Sequence, residues 1–267
     1  MSIPNLEDIR TYNPWMNGKD FEVPVFKRQI YYSILELIEK RKFIIAVTGL
    51  RRIGKTVLIK QIGNHISGDK YFFSFEEDIH ANYESLKTVI ETFLRLSKKP
   101  TIFLDEIGRI KNWAGLLKKY HDLNLARFVV SGSSAIGITK GKESLAGRMM
   151  EFQLTPWSFN EFLSTQNINL NHPKIDNLEK SYLTWNLQKE YLSRFLKKGG
   201  FPEISDLEQP ELIKKYIKTT TVDKIVFEDL TKTFKIEHPE KLYDLMNYIA
   251  AETGNIFISS HVGESFE

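Results

Sequence analysis

The run Gly49-Leu50-Arg51-Arg52-Ile53-Gly54-Lys55-Thr56 constrains this chain more than any other feature. It completes the pattern G-x-x-x-x-G-K-[ST], and the apolar run Phe43-Ile44-Ile45-Ala46-Val47 leads straight into it. A buried strand that ends in a glycine-rich turn, with a helix opening at the lysine, aims successive backbone N–H groups inward. Such a nest suits the phosphates of a nucleoside triphosphate. Lys55 is then placed to reach the β- and γ-phosphates, and the Thr56 hydroxyl to ligate Mg2+. The run Val57-Leu58-Ile59-Lys60-Gln61-Ile62 continues the helix. The pattern predicts nucleotide contacts from Gly49, Leu50, Arg51, Arg52, Ile53, Gly54, Lys55, Thr56 and Val57. Most of these come from backbone N–H groups, with the Arg51 and Arg52 side chains pointing outward.

The 267 residues give room for one α/β domain and a smaller appendage. With 37 basic and 34 acidic residues, the net charge of +3 neither demands nor excludes nucleic acid. There is no cysteine, which rules out disulfides, cysteine-ligated zinc and thiol catalysis. The opening residues MSIPNLEDIR carry acids and lack an apolar core, so no signal peptide is expected. No apolar run approaches the roughly 18 residues needed to span a bilayer. These features predict a cytoplasmic protein with no membrane partner.

Residues 1–24 contain Pro4, Pro14, Trp15 and Pro24 and show no clear period, which predicts an irregular arm. A helix is expected over 26–42, with Ile30, Ile34, Leu37 and Ile38 on one face. Further strands are expected at 71–75, 101–104, 127–131 and around Phe152, and helices after the phosphate loop and over 83–97 and 113–122. Strands alternating with helices at this spacing predict a parallel sheet covered on both faces. After Pro156 strand-like runs stop, and helices are expected over 180–197 and 209–219. The expected organisation is a nucleotide-binding core with its arm over 1–155, a helical lid over 156–237 and a last segment over 238–267. In that last segment Leu242, Leu245, Met246, Ile249 and Ala250 keep helical spacing and Gly254 supplies a stop. The following Ile256-Phe257-Ile258-Ser259-Ser260 reads as an incomplete helix-turn-helix or winged-helix unit, or as the frayed tail of a terminal helix.

The strand Thr101-Ile102-Phe103-Leu104 ends in Asp105-Glu106. An acid there lies beside the phosphate loop, where Asp105 can hold Mg2+ through water and Glu106 can deprotonate the attacking water. The strand Phe128-Val129-Val130 ends in Ser131-Gly132-Ser133-Ser134, and a hydroxyl there can sense the γ-phosphate. Ser131 and Ser133 are both candidates. Arg148, just before the fifth strand, offers a guanidinium for the charge that builds in phosphoryl transfer. Asp105-Glu106-Ile107-Gly108 also fits the D-x-x-G pattern of GTPases, but no N-K-x-D guanine-reading motif occurs, which favours adenine.

With these motifs in place, the chain resembles the AAA-like P-loop ATPases of archaea and bacteria whose core precedes an uncharacterised C-terminal domain. The resemblance rests on Asn13-Pro14-Trp15, GLRRIGKT, FLDEI at 103–107 and SGSS at 131–134. SLAGR at 144–148, LTPWSFNEF at 154–162 and GGFPE at 199–203 extend it and are the more specific signals. It implies a three-layer ASCE-type α/β fold with five parallel strands, a helical lid and a partial winged helix. ATP or ADP with Mg2+ would be bound, and ATP hydrolysed slowly. By the same comparison Lys55 and Thr56 are Walker A residues, Asp105 and Glu106 the Walker B pair, and Ser131 or Ser133 the sensor. Arg148 takes the place of an arginine finger, normally supplied by a neighbouring subunit, which implies a homo-oligomer; in signalling-type relatives the finger is often dispensable, so the two likenesses pull apart over assembly. Gly200-Phe201-Pro202 is similar to the G-x-P element of signalling-type relatives, which puts Pro202 near adenine. Relatives of this kind continue into a complete winged helix and a further domain, so a truncated chain or fragment is expected. Two other readings fit: a nucleotide-gated DNA-binding regulator, and a scaffold that binds a protein client.

Overall fold

The computed structural model describes residues 3–40, 42–133, 144–166 and 178–255. Five strands form one parallel sheet: β1 (Ile44–Thr48), β2 (Lys70–Ser74), β3 (Thr101–Asp105), β4 (Arg127–Gly132) and β5 (Met149–Gln153). Their order is β2-β3-β4-β1-β5. The chain therefore leaves β1, skips two strand positions to lay down β2, and returns through β3 and β4. Parallel pairing needs a long crossover between strands, and helices fill those connections. β1 and β3 are buried along their whole length, as expected of near-continuous apolar runs in a sheet covered on both faces.

The alternation of side chains divides the core between the two faces. Ile44, Ala46, Phe73, Ile102, Leu104 and Phe128 join one core with α4 (Tyr83–Leu96) and α5 (Trp113–Asp122). Tyr71 of β2 stacks on Phe93 of α4, with ring centroids 4.6 Å apart. α3 (Lys55–His65) runs across β1, β3 and β4 and packs against α2 (Ile30–Glu39). The expected α/β architecture is the one observed, and the expected helix 113–122 has the same bounds in the fold.

Two local expectations are corrected. The arm is not irregular: α1 (Leu6–Thr11) is capped by Asn5, whose side chain accepts from the N–H groups of Glu7 and Asp8. Asp8 accepts in return from the Asn5 N–H at 2.8 Å. Six residues are too few to show a period, so this helix is marked only by its cap. A 3₁₀ turn over Pro14–Asn17 follows. The expected helix 26–42 is shorter, because the residues before Gln29 are irregular and are held against α3. There Gln61 Nε2 donates to the carbonyls of Pro24 and Phe26 at 2.6 and 2.8 Å.

The arm closes one edge of the sheet. Asn13 is buried, and its side chain bonds both the N–H and the C=O of Phe72 on β2. Trp15 donates from Nε1 to Asn64 Oδ1 at 2.8 Å, with its ring over α3 at Gly63. A Cβ on Gly63 would lie 2.1 Å from the Trp15 ring, so the glycine makes room for the indole.

After β5 come α6 (Phe159–Thr165) and α7 (Leu178–Lys198), then a turn at Gly199-Gly200 and a 3₁₀ turn over Pro202–Ile204. The chain separates into two compact units, Met1–Leu207 and Glu208–Glu267. In the second unit α8 (Pro210–Tyr216) runs into π-helical turns over Ile217–Val222 and Lys224–Leu230. Thr219 and Thr220 bond back to the carbonyls of Lys215 and Tyr216, and Thr231 to that of Val226 five residues earlier. Hydroxyls that engage these carbonyls compete with the ladder and widen the coil. α9 (Thr231–Phe234) and α10 (Pro239–Ala251) complete this unit, with Phe227 stacked near Tyr243. The stretch 256–260, read above as a partial winged helix, lies outside the described residues.

Candidate functional site

The carboxyl ends of β1, β3 and β4 meet at one end of the sheet. The register pairs Val47 with Ser131 and Thr48 with Gly132, and on the other side of β4 it pairs Leu104 with Val130. β4 thus lies between the loop strand and the acid-bearing strand, and Ser131 falls between Val47 and Asp105.

The loop 49–56 has a backbone that its sequence dictates. Gly49 (φ +145), Arg52 (φ +65) and Gly54 (φ +94) all have positive φ. At Gly49 a side chain is excluded twice, since a Cβ would also stand 2.2 Å from the Leu154 carbonyl oxygen. α3 opens at Lys55 with Gly54 as its cap and no side chain bonded to its first N–H groups. These N–H groups, the helix dipole and a buried lysine make a cradle that fits an anion. Lys55 is 5% exposed, and its Nζ donates to the loop carbonyls of Gly49 and Leu50 at 3.2 and 2.8 Å. Ile53 is buried, while Leu50 and Val57 are exposed apolar side chains beside the cradle.

Around Asp105 the other predicted residues come together. Thr56 Oγ1 donates to Asp105 Oδ2 at 2.9 Å, and Ser131 Oγ donates to Oδ1. Ser133 donates to Glu106 Oε2 through both its N–H (3.0 Å) and its Oγ (2.8 Å). The two serines are therefore divided between the two acids. Burial raises the Asp105 pKa, and the neighbouring Glu106 charge adds to the shift. The Ser131 and Thr56 hydrogen bonds and the Lys55 charge pull the other way. Among the described residues no group of three or more His, Asp or Glu side chains could hold a metal. A divalent cation at Thr56 and Asp105 would thus take most of its oxygens from phosphate and water, which is how Mg2+ is usually held.

Pro202 is brought to the loop end of the sheet by two contacts. The Trp157 N–H donates to the Gly200 carbonyl at 2.8 Å, and Arg52 in the loop pairs with Glu203 at 3.3 Å. Gly200 (φ +72) is needed here, because a Cβ would stand 2.7 Å from the Trp157 carbonyl oxygen.

Arg148 is not part of this cluster. Its carbonyl accepts from the Ile44 N–H, and Met149 pairs with Ile44 at the amino end of β1. Five residues of strand, about 16 Å at the usual rise, separate that end from the loop. The Arg148 side chain pairs with Asp122 at 2.6 Å, with both about 40% exposed. That hydrogen bond holds the Asp122 carboxyl below its ordinary range.

Sequence reasoning missed Arg28. It is 8% exposed, and its guanidinium reaches Ile53 in the loop, Thr155 after β5 and Glu161 on α6. A lone arginine before an apolar helix carries no pattern that separates it from a surface charge. No helix among the described residues is long and apolar enough to cross a membrane.

Comparison with known proteins bears on the fold that carries this site. Residues 41–163 match the family model described as an AAA domain, and residues 189–267 match a domain of unknown function. An uncharacterized protein of Methanocaldococcus jannaschii is 30% identical over 206 residues, covering 76% of this chain and 45% of the relative. An uncharacterized protein of Haemophilus influenzae is 24% identical over 253 residues, covering 90% of this chain and 59% of the relative. The chain thus spans about half the length of the curated relatives it matches. In fold it is similar to a Walker-type ATPase of Pyrococcus abyssi, with a TM-score of 0.52 at 13% identity, over 87% of this chain and 86% of that one. The core of the chain, residues 41–163, thus matches an AAA domain and has the fold of the P-loop ATPases, and a domain of unknown function is matched after it.

Proposed function

We propose that this chain binds ATP with Mg2+, hydrolyses it slowly, and uses the nucleotide state to move the helical segment that starts at α6. The observation that carries this reading is the meeting of Thr56, Asp105, Ser131, Glu106 and Ser133 beside an uncapped, positive-φ loop. In this reading the N–H groups of residues 49–57 and the Lys55 ammonium hold the phosphates. Thr56 and Asp105 hold Mg2+, which when bound neutralises charge on the β- and γ-oxygens. Glu106 takes the proton from the attacking water, and Ser133 sets the direction of its carboxylate. Ser131 fixes Asp105, and Pro202 lies along the adenine. A cytoplasmic location, where ATP is supplied, belongs to the same proposal.

We further propose that Arg148 acts on the nucleotide of a second copy of this chain. Its place at the amino end of β5, away from its own loop, supports action across a subunit interface. The test is ATP turnover per subunit as a function of protein concentration, with Glu106→Gln as the blank. A rate that is Glu106-dependent and rises with concentration supports both proposals. A flat, Glu106-dependent rate removes the oligomer, and no turnover above the blank removes hydrolysis.

A further inference from the structure

We infer that Arg28 is the positioning residue through which the nucleotide state of the loop reaches α6; this rests on the nucleotide-binding reading above. Arg28 lies in the irregular stretch before α2. That stretch is fixed to α3 by the two hydrogen bonds from Gln61 Nε2, so its backbone moves with the core. Its side chain spans the moving parts. Nη1 points to the Ile53 carbonyl at 3.4 Å. Nη2 donates to the Thr155 carbonyl at 2.9 Å and lies 3.5 Å from that of Pro156. Nε donates to Glu161 Oε1 at 2.6 Å. The other oxygen of Glu161 accepts from the Ser158 N–H at 3.0 Å and so caps α6.

A guanidinium is a rigid planar fork, so it cannot follow one acceptor without shifting the rest. Ile53 immediately precedes Gly54 and Lys55, the residues that would turn toward phosphate. In this structure Lys55 Nζ rests on the carbonyls of Gly49 and Leu50. Drawing it onto a phosphate frees the Gly49 and Leu50 carbonyls, and the loop peptides from there to Ile53 can re-aim. Arg28 then carries the change to Thr155 and, through Glu161, to the start of α6.

A second link joins the loop to the helical segment, Arg52 to Glu203, but magnitudes favour Arg28. The Arg52 and Glu203 side chains are 50% and 46% exposed, and such pairs contribute little. Arg28 and Glu161 are 10% and 18% exposed. A pair this buried is costly to break one side at a time, so it moves as a unit.

The test is hydrogen–deuterium exchange of residues 155–165 in the full chain, free and saturated with Mg2+ and a non-hydrolysable ATP analogue. Wild type, Arg28→Lys and Glu161→Gln are compared at saturation, so differences in affinity drop out. Coupled sites commonly bias one another 5- to 150-fold, so the analogue is expected to change exchange in wild type by on the order of tenfold. The change should fall below about twofold in both variants. Glu161→Gln leaves the Arg28 bonds to Ile53 and Thr155 in place and serves if Arg28→Lys fails to fold. Variants that respond like wild type overturn the role of Arg28. Wild type that binds the analogue with no change over 155–165 overturns the coupling itself. Wild type that binds no analogue overturns the nucleotide-binding reading beneath it.

Discussion

Thr56 Oγ1 lies 2.9 Å from Asp105 Oδ2, although 49 residues of chain separate them. This hydrogen bond sets the two residues of the proposed cation site side by side, on a carboxyl that is 3% exposed. Its cost in the free protein is testable. Burial raises the folded pKa of Asp105 above its unfolded value. The favourable protonated contribution is complete below the unfolded carboxyl pKa, and it is lost as pH rises through the folded pKa. Asp105→Asn removes that loss. At neutral pH the free variant should melt at or above wild type, by about 2–4 °C for each kcal/mol relieved in a chain of this size. Saturating Mg2+–nucleotide should reverse the order, because it stabilises only the protein that binds it. Thermal melts from pH 4 to 8, with and without Mg2+–ATP, check both signs.

Ser131 and Ser133 bond different acids, so their alanine variants should fail differently. Ser133→Ala keeps the backbone N–H bond to Glu106 but loses the hydroxyl bond. It should lower kcat by about tenfold, part of the 10²–10⁴ that a positioned base supplies, with little change in nucleotide affinity. Ser131→Ala should instead raise the Mg2+ concentration required for half-maximal rate. Steady-state kinetics with Mg2+ and ATP varied separately distinguish the two.

Gly63→Ala drives a methyl group to within 2.1 Å of the Trp15 ring. Overpacking of this kind costs about 1–3 kcal/mol, against up to about 1 kcal/mol gained in helix propensity. The net effect should be a lower melting temperature with nucleotide affinity intact, since Lys55 lies at the opposite end of α3. In a double-mutant cycle, Trp15→Phe should recover part of the loss. Additive effects would mean that the two positions do not touch.

Arg148→Ala breaks an ion pair whose members are each about 40% exposed, so the melting temperature should not move measurably. Turnover per subunit should be unchanged at low protein concentration and should lose its rise at high concentration. A loss already present in dilute protein would show that Arg148 works within its own subunit.

The loop, the strand ending in Asp105-Glu106 and helix 113–122 were legible because each combines an apolar run with a local break in its period. The strand around Phe152 was read from the chain itself, and the resemblance added the likeness of Gly200-Phe201-Pro202 to a G-x-P element. Arg28 was not legible, because its partners at 53, 155 and 161 are joined only by the fold. α1 escaped because its six residues are shorter than two turns and its signal lies in Asn5 and Asp8 rather than in a stripe. The π turns after Tyr216 escaped for another reason. Three consecutive threonines read as neutral to a helix, and nothing in the sequence shows that the hydroxyls of Thr219 and Thr220 bond back to the main chain there.

Asn13 has a consequence for the company this protein keeps. Its side-chain amide occupies the N–H and C=O of Phe72 on β2, an outer strand, and so serves as a single rung of an absent sixth strand. An outer strand with open rungs is a template for another chain. By filling this rung with its own arm, the molecule limits edge-to-edge strand pairing at β2 in a crowded solution. Damage at Asn13 should therefore be seen first as material lost to aggregates, in light scattering, before it is seen in the chemistry of the loop.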